Sequence, residues 1–280
     1  MDMRVQFATG TMTRTSSRSR TGPGLAAWFC GLGLSISSFQ LTAWLAPYSF
    51  VSSQLAFCCG FGAVAASAIG VSAATPTSRR TCGAASLGAA LAWFGVTFVG
   101  ADTFRGAAIL AVLLAAGTAI GAWVGAGVEQ PGYLLFVAIV SSIADLWSVG
   151  DPAGPSAQLV QHRETLELFA LPWPMLGTRE VASLLGVGDV VFTSLYWSAA
   201  RRHGLSLRRT FVALAGAYVV TALVVVVAAR PIPVLPLLGI AIVIAHPAAR
   251  RPYGQQARRA AWLVAACIVG VTYWVVQRTQ

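Results

Sequence analysis

Hydrophobic residues in this chain fall into long runs, broken by short polar segments in which arginine is common. Crossing a hydrocarbon core of about 30 Å takes roughly 17–25 residues of helix. On that measure the pattern predicts nine spans, over residues 24–46, 49–74, 83–100, 105–127, 131–150, 180–200, 210–229, 231–247 and 260–277. The eighth is short and holds three prolines near its start, so it is expected to be partly unwound there. Residues 1–22 are polar, rich in Arg, Ser and Thr, and read as a disordered tail, although a transit peptide has a similar composition. The chain thus divides into the tail (1–22), a four-helix membrane region (23–130), a central region (131–247) and a loop with a last helix (248–280).

Composition agrees with that reading. Hydrophobic residues make up 56% of the 280 positions and charged ones only 10%. Soluble domains carry roughly 25% charged residues, so this chain lacks the polar surface to face water all round. An all-α polytopic membrane protein of about nine helices in a lipid bilayer is the predicted fold class. The net charge is +10, and all 19 basic residues are arginine. A nucleic-acid partner is not expected, because the arginines sit in short clusters between apolar runs rather than on one soluble face.

The same clusters set the topology. Arg4, Arg14, Arg18 and Arg20 lie in the tail, and Arg79 and Arg80 follow the second span. The segment "RRHGLSLRR" covers 201–209, and Arg250, Arg251, Arg258 and Arg259 follow the eighth span. With nine spans all of these fall on one side, which the positive-inside rule makes cytoplasmic. The amino terminus is then inside, while the 151–179 loop and the carboxyl terminus are outside. A lysine-free chain rich in Ala, Gly, Val and Arg suggests a GC-rich, prokaryotic genome, hence a multi-pass protein of the cell membrane. The cysteines (Cys30, Cys58, Cys59, Cys82, Cys267) and histidines (His162, His203, His246) show no metal-type spacing.

Acidic residues are rare and carry the most information. Seven of the nine fall in the tail, in loops or at span edges; only Asp145 and Asp189 lie inside spans. A charge at the centre of a membrane helix costs about 2.5–3.5 kcal/mol even on the lenient insertion scale. Two such residues are expected to face the bundle interior together. Counted from the intervening loop at 1.5 Å per residue, Asp145 lies ~8 Å and Asp189 ~14 Å into the membrane. Gly186 and Gly188 remove side chains from the approach to Asp189 and let a helix or a substrate backbone come close.

Two neighbouring carboxylates share a proton, so one can activate a water while its protonated partner polarises a carbonyl. That is aspartic-protease chemistry, which needs no metal or organic cofactor. The same pair also suits a proton-coupled transporter, or two aspartates hydrogen-bonded to Ser141, Ser142 or Thr193. Spacing alone leaves these alternatives open.

Three motifs, in order, resemble the presenilin family of GxGD intramembrane aspartyl proteases, which includes the signal peptide peptidases. "IADLWSV" (143–149) is similar to the helix of the first catalytic aspartate, and "LLGVGDVVFTSLY" (184–196) to the G-x-G-D helix. "PIPVLPLLG" (231–239) resembles the P-A-L-P motif, with Pro233, Val234, Leu235 and Pro236 on its positions. The stretch after Asp145 also resembles presenilins, with P-x-G-P at 152–155 and the Leu159-Val160 pair. The likeness covers about 131–247.

It implies a presenilin-like bundle with Asp145 and Asp189 as the catalytic dyad. Gly186, Gly188 and the 233–236 segment would lie beside the substrate, which would be a transmembrane helix or a remnant signal peptide. Partner subunits are not specified. The chain departs from the family at Ala144, where a tyrosine is usual, and at Val234, where alanine is. The motifs fall on the fifth, sixth and eighth predicted spans rather than the sixth, seventh and ninth. A catalytically inactive, helix-binding relative is the alternative these departures allow.

Overall fold

A computed structural model of the chain describes residues 24–96, 103–151, 153–230 and 232–250, together with a few helical positions between 258 and 269. The expected tail at 1–22 and most of the expected last span at 260–277 lie outside the described residues, as do Pro152 and Pro231 of the quoted motifs.

The described chain is mostly helical. In order it forms α1 (Leu25–Leu45), α2 (Ser53–Ala74), α3 (Arg79–Val96), α4 (Thr103–Gly125), α5 (Tyr133–Gly150), α6 (Pro155–Gln161) and α7 (Arg163–Phe169). Then follow β1 (Ala170–Pro174), β2 (Val181–Gly186), α8 (Val187–Arg202), α9 (Leu207–Ala228) and α10 (Leu235–Ala245). Five helices are long and apolar enough to cross a membrane: α1, α2, α4, α5 and α9. Their outward faces carry large apolar side chains, among them Phe29, Leu34, Trp44, Val212 and Val227. Water penalises such surfaces, whereas hydrocarbon does not.

Nine spans therefore do not emerge from the described residues. Helix α8 has 16 residues and α10 has 11, both short of what a perpendicular crossing needs. Each begins later than its apolar run. In α10 the delay follows from Pro236, whose missing N–H and fixed φ suit only the first helical turn.

The sixth expected span, 180–200, differs in kind. Residues 181–186 are not helix but strand β2, which pairs antiparallel with β1 from Ala170↔Gly186 to Pro174↔Val181. The apolar run "VASLLG" satisfies either period, and pairing decides it. Strand β1 lies just upstream, and Gly186 and Gly188 weaken any helix that would extend backward over them. The hairpin is held down by Trp173, which is 1% exposed and meets Phe39 of α1 edge-on at 5.7 Å. Gly60 of α2 makes room for it, since a Cβ there would stand 2.9 Å from Leu184 Cδ1.

Helix α4 is the centre of the bundle and packs most closely on α8. Gly117, Gly121 and Gly125 recur every fourth residue on α4, so they line one face. A Cβ on Gly125 would lie 2.5 Å from the Leu195 carbonyl, one on Gly117 would lie 2.9 Å from Val190 Cγ1, and one on Gly121 would collide with the Val191 carbonyl. This close approach lets Ser194 Oγ donate to the Thr118 carbonyl (2.6 Å) and Ser198 Oγ to that of Ala122 (3.1 Å). Small residues and interhelical hydroxyl bonds are what joins helices where the hydrophobic effect is absent.

Substitution of Gly121 by Leu should force α4 and α8 apart and cost at least about 3 kcal/mol. Gly33→Ala, where a Cβ meets nothing within 4 Å, should be neutral or mildly stabilising. Unfolding in mixed micelles compares the two.

Candidate functional site

Asp189 is the third residue of α8, and its position follows from the hairpin. Strand β2 ends at Gly186, the cap of α8, and the Gly186 N–H donates to Asp189 Oδ2 at 3.2 Å. An acidic side chain three residues into a helix reaches back to the cap amide and suits the positive end of the helix dipole. A Cβ on Gly186 would stand 3.4 Å from the same oxygen, an ordinary contact. Gly188 is exposed, with nothing within 4 Å of its would-be Cβ, so the flank of Asp189 is open.

Asp145 lies four residues past Ser141 on α5, the last turns of which end at Gly150. Its Oδ2 accepts the Leu235 N–H at 2.9 Å, a bond between residues 90 apart in sequence. The Val234 amide is a second backbone partner. Leu235 is the first residue of α10, and the next is Pro236, which has no N–H to offer. Asp145 thus caps α10 from another helix, meeting one of the orphan amides that every helix start leaves. The register is fixed two turns away, where a Cβ on Gly239 of α10 would stand 2.9 Å from Ala138 Cβ of α5.

The two carboxylates are brought close enough for their charges to act on each other. Both are half-buried, so neither is sealed off. No arginine pairs with either among the described residues; each is held by a backbone amide. Pro233 and Val234 lead into α10, which Leu235 and Pro236 open, and the Val234 and Leu235 amides reach Asp145. The structure thus brings Val234 and Leu235 to Asp145, and Gly186 to Asp189, while Gly188 contributes by leaving space rather than by contact.

Ser141, Ser142 and Thr193, which the sequence offered as hydrogen-bond partners of the aspartates, bond elsewhere, both serine hydroxyls donating to the Ala138 carbonyl. Thr193, one turn below Asp189, shares a 2.7 Å hydrogen bond with the Tyr218 hydroxyl of α9, and both side chains are buried. Tyr196, one further turn along, is 1% exposed and faces Ser141 of α5 without closing a hydrogen bond. The signal available for these was the row Asp189, Thr193, Tyr196 on one helical face. Gly154 of the P-x-G-P segment crowds the Trp147 and Ser148 carbonyls at the end of α5, where no Cβ would fit. The α5 terminus is closed by that glycine and by the Ser156 N–H donating to Ser148 Oγ at 3.0 Å.

At its other end α10 is tied to α9. His246, just past α10, hydrogen-bonds Thr210 at 2.9 Å and is 3% exposed. Among the described residues, no three His, Cys, Asp or Glu side chains gather as a metal site would require. Comparison with family models, with curated proteins and with solved structures finds no match.

Thr193→Val and Tyr218→Phe should each cost about 1–3 kcal/mol by stranding a buried hydroxyl partner, and the double variant should cost less than their sum; a double-mutant cycle of unfolding measures this.

Proposed function

We propose that the chain is an intramembrane aspartyl protease of presenilin-like architecture that hydrolyses peptide bonds within transmembrane segments or signal peptides. The observation that supports this reading is the approach of Asp145 and Asp189 from different helices, each held by a backbone amide and, among the described residues, neither paired with a cation. Carboxylates inside a membrane are rare, face the bundle interior and mark functional sites. Two that lie within reach of each other's charge suit an acid–base pair.

The reaction runs as follows. One carboxylate takes a proton from water as the oxygen attacks the scissile carbonyl carbon, while the protonated partner donates to the carbonyl oxygen. The tetrahedral intermediate collapses, the C–N bond breaks, and a proton passes to the leaving amine. Water supplies the new C–O bond, and no cofactor takes part.

Helical hydrogen bonds shield a scissile carbonyl, so the substrate must be extended at the dyad. Strand β2 supports such a geometry. It has one partner strand among the described residues, and it runs directly into Gly186 beside Asp189. An extended segment added to its other edge would gain main-chain hydrogen bonds and be led to the carboxylates. The exposed Gly188 keeps that approach clear.

The finer fold belongs to the same proposal: a nine-helix bundle in a prokaryotic cell membrane, amino terminus cytoplasmic, with 131–247 as the catalytic region. Positive-inside placement favours single-span substrates of type II orientation. Ala144 supports a second reading, a helix-binding relative without activity, because no ring or hydroxyl stands beside Asp145 there.

Purified protein in liposomes should cleave a reporter transmembrane peptide between pH 5 and 8. Asp145→Ala and Asp189→Ala should each lower the rate by about 10²–10⁴ or more, with folding checked by melting. Cleavage that survives both substitutions contradicts the dyad. An inert wild type across a broad peptide panel favours the second reading.

A further inference from the structure

We infer that the groove between α9 and α10 is a binding site for one anionic phospholipid, its phosphate on Arg208 and Arg209 and an acyl chain between the helices. The inference rests on the membrane setting alone and not on the proposed chemistry.

The groove exists because the two helices differ in length. Helix α9 has 22 residues and α10 has 11, about 33 and 16 Å at 1.5 Å per residue. Along the shared stretch they do not close on each other but leave an open cleft of about 800 Å³. Its floor is made of small residues, Ala213 and Gly216 of α9 and Ala241 of α10. The space is real at the floor, since a Cβ on Gly216 meets no atom within 4 Å. Its sides are Val212, Ile240 and Ile244, which are 60%, 56% and 64% exposed and continue the apolar outer surface.

One end is different. Ser206, Arg208 and Arg209 form it, both arginines are exposed, and no acidic residue lines the groove. They belong to the first turn of α9, at the level where a spanning helix leaves the hydrocarbon for the headgroups. A guanidinium pair there fits a phosphate diester, and the apolar cleft below fits the chain attached to it. A second copy of this chain is the poorer occupant, because a twofold contact through this face would bring four arginines together without a counter-charge. An occupant with hydrocarbon below and negative charge above meets both halves of the groove.

Occupancy has a structural consequence. The groove flanks α10, whose first amide holds Asp145, so a bound lipid braces the helix that positions this carboxylate.

The test uses the full chain in nanodiscs of phosphatidylcholine containing phosphatidylglycerol, with retained lipid read by native mass spectrometry. Wild type should retain one phosphatidylglycerol with a preference of about thirtyfold over phosphatidylcholine, the effect of two arginines near a membrane surface. Arg208→Gln with Arg209→Gln should remove the preference. Gly216→Leu, which grows into open space and leaves the fold intact by melting, should lose retention of both lipids. A phosphatidylglycerol carrying a photoreactive acyl chain should label peptides containing Val212, Ile240 or Ile244. Equal retention of the two lipids by wild type, an undiminished preference in the double variant, or undisturbed binding in Gly216→Leu overturns the site. Photoproducts that join two chains through this face assign it to a second copy instead.

Discussion

The bond from the Leu235 amide to Asp145 is the constraint from which the rest of the central region follows. A carboxylate at the inner turns of an apolar helix needs a partner, and the first turn of a helix leaves amides that need one too. Each requirement here meets the other. The proline at 236 makes the match specific: it starts α10 where it does and leaves Leu235 as the amide to be capped. Asp189 repeats the arrangement on its own helix, where the Gly186 amide takes the corresponding role. Among the described residues, helix starts and not cations hold both acids.

The remaining elements keep these two helix starts in place. Gly239 on Ala138 sets how α10 lies along α5, and His246 with Thr210 ties the far end of α10 to α9. The glycine face of α4 fixes α8, and the hairpin, anchored by Trp173, fixes where α8 begins. Such a scaffold holds both carboxylates on rigid elements.

Much of this was legible in the sequence, and the reasons for the rest are physical. Runs at 24–46, 49–74, 105–127, 131–150 and 210–229 match α1, α2, α4, α5 and α9, because an apolar run of membrane length has one stable backbone solution in lipid. The prolines of 231–236 correctly foretold a late start for α10. The run at 180–200 misled, since "VASLLG" satisfies helix and strand alike and only the long-range pairing to Ala170–Pro174 decides between them. Asp189 accordingly stands at the first turn of α8 and not deep in a helix begun at 180. Asp145 and Asp189 were identifiable as the two misplaced acids, but nothing in their spacing announces an amide from 90 residues away. The close packing of α4 on α8 through Gly117, Gly121 and Gly125 was not read from the sequence, because its partner helix lies about 70 residues away.

The central claim is that Asp145 and Asp189 act as one site. Binding of a peptide whose scissile amide is replaced by a hydroxyethylene group tests it most directly, because that hydroxyl imitates the tetrahedral intermediate that only a paired dyad recognises. Measured by photoaffinity labelling in nanodiscs, wild type should bind it, and Asp145→Ala and Asp189→Ala should each weaken binding by a factor of about 10² or more. Equal labelling of wild type and both variants would contradict the account.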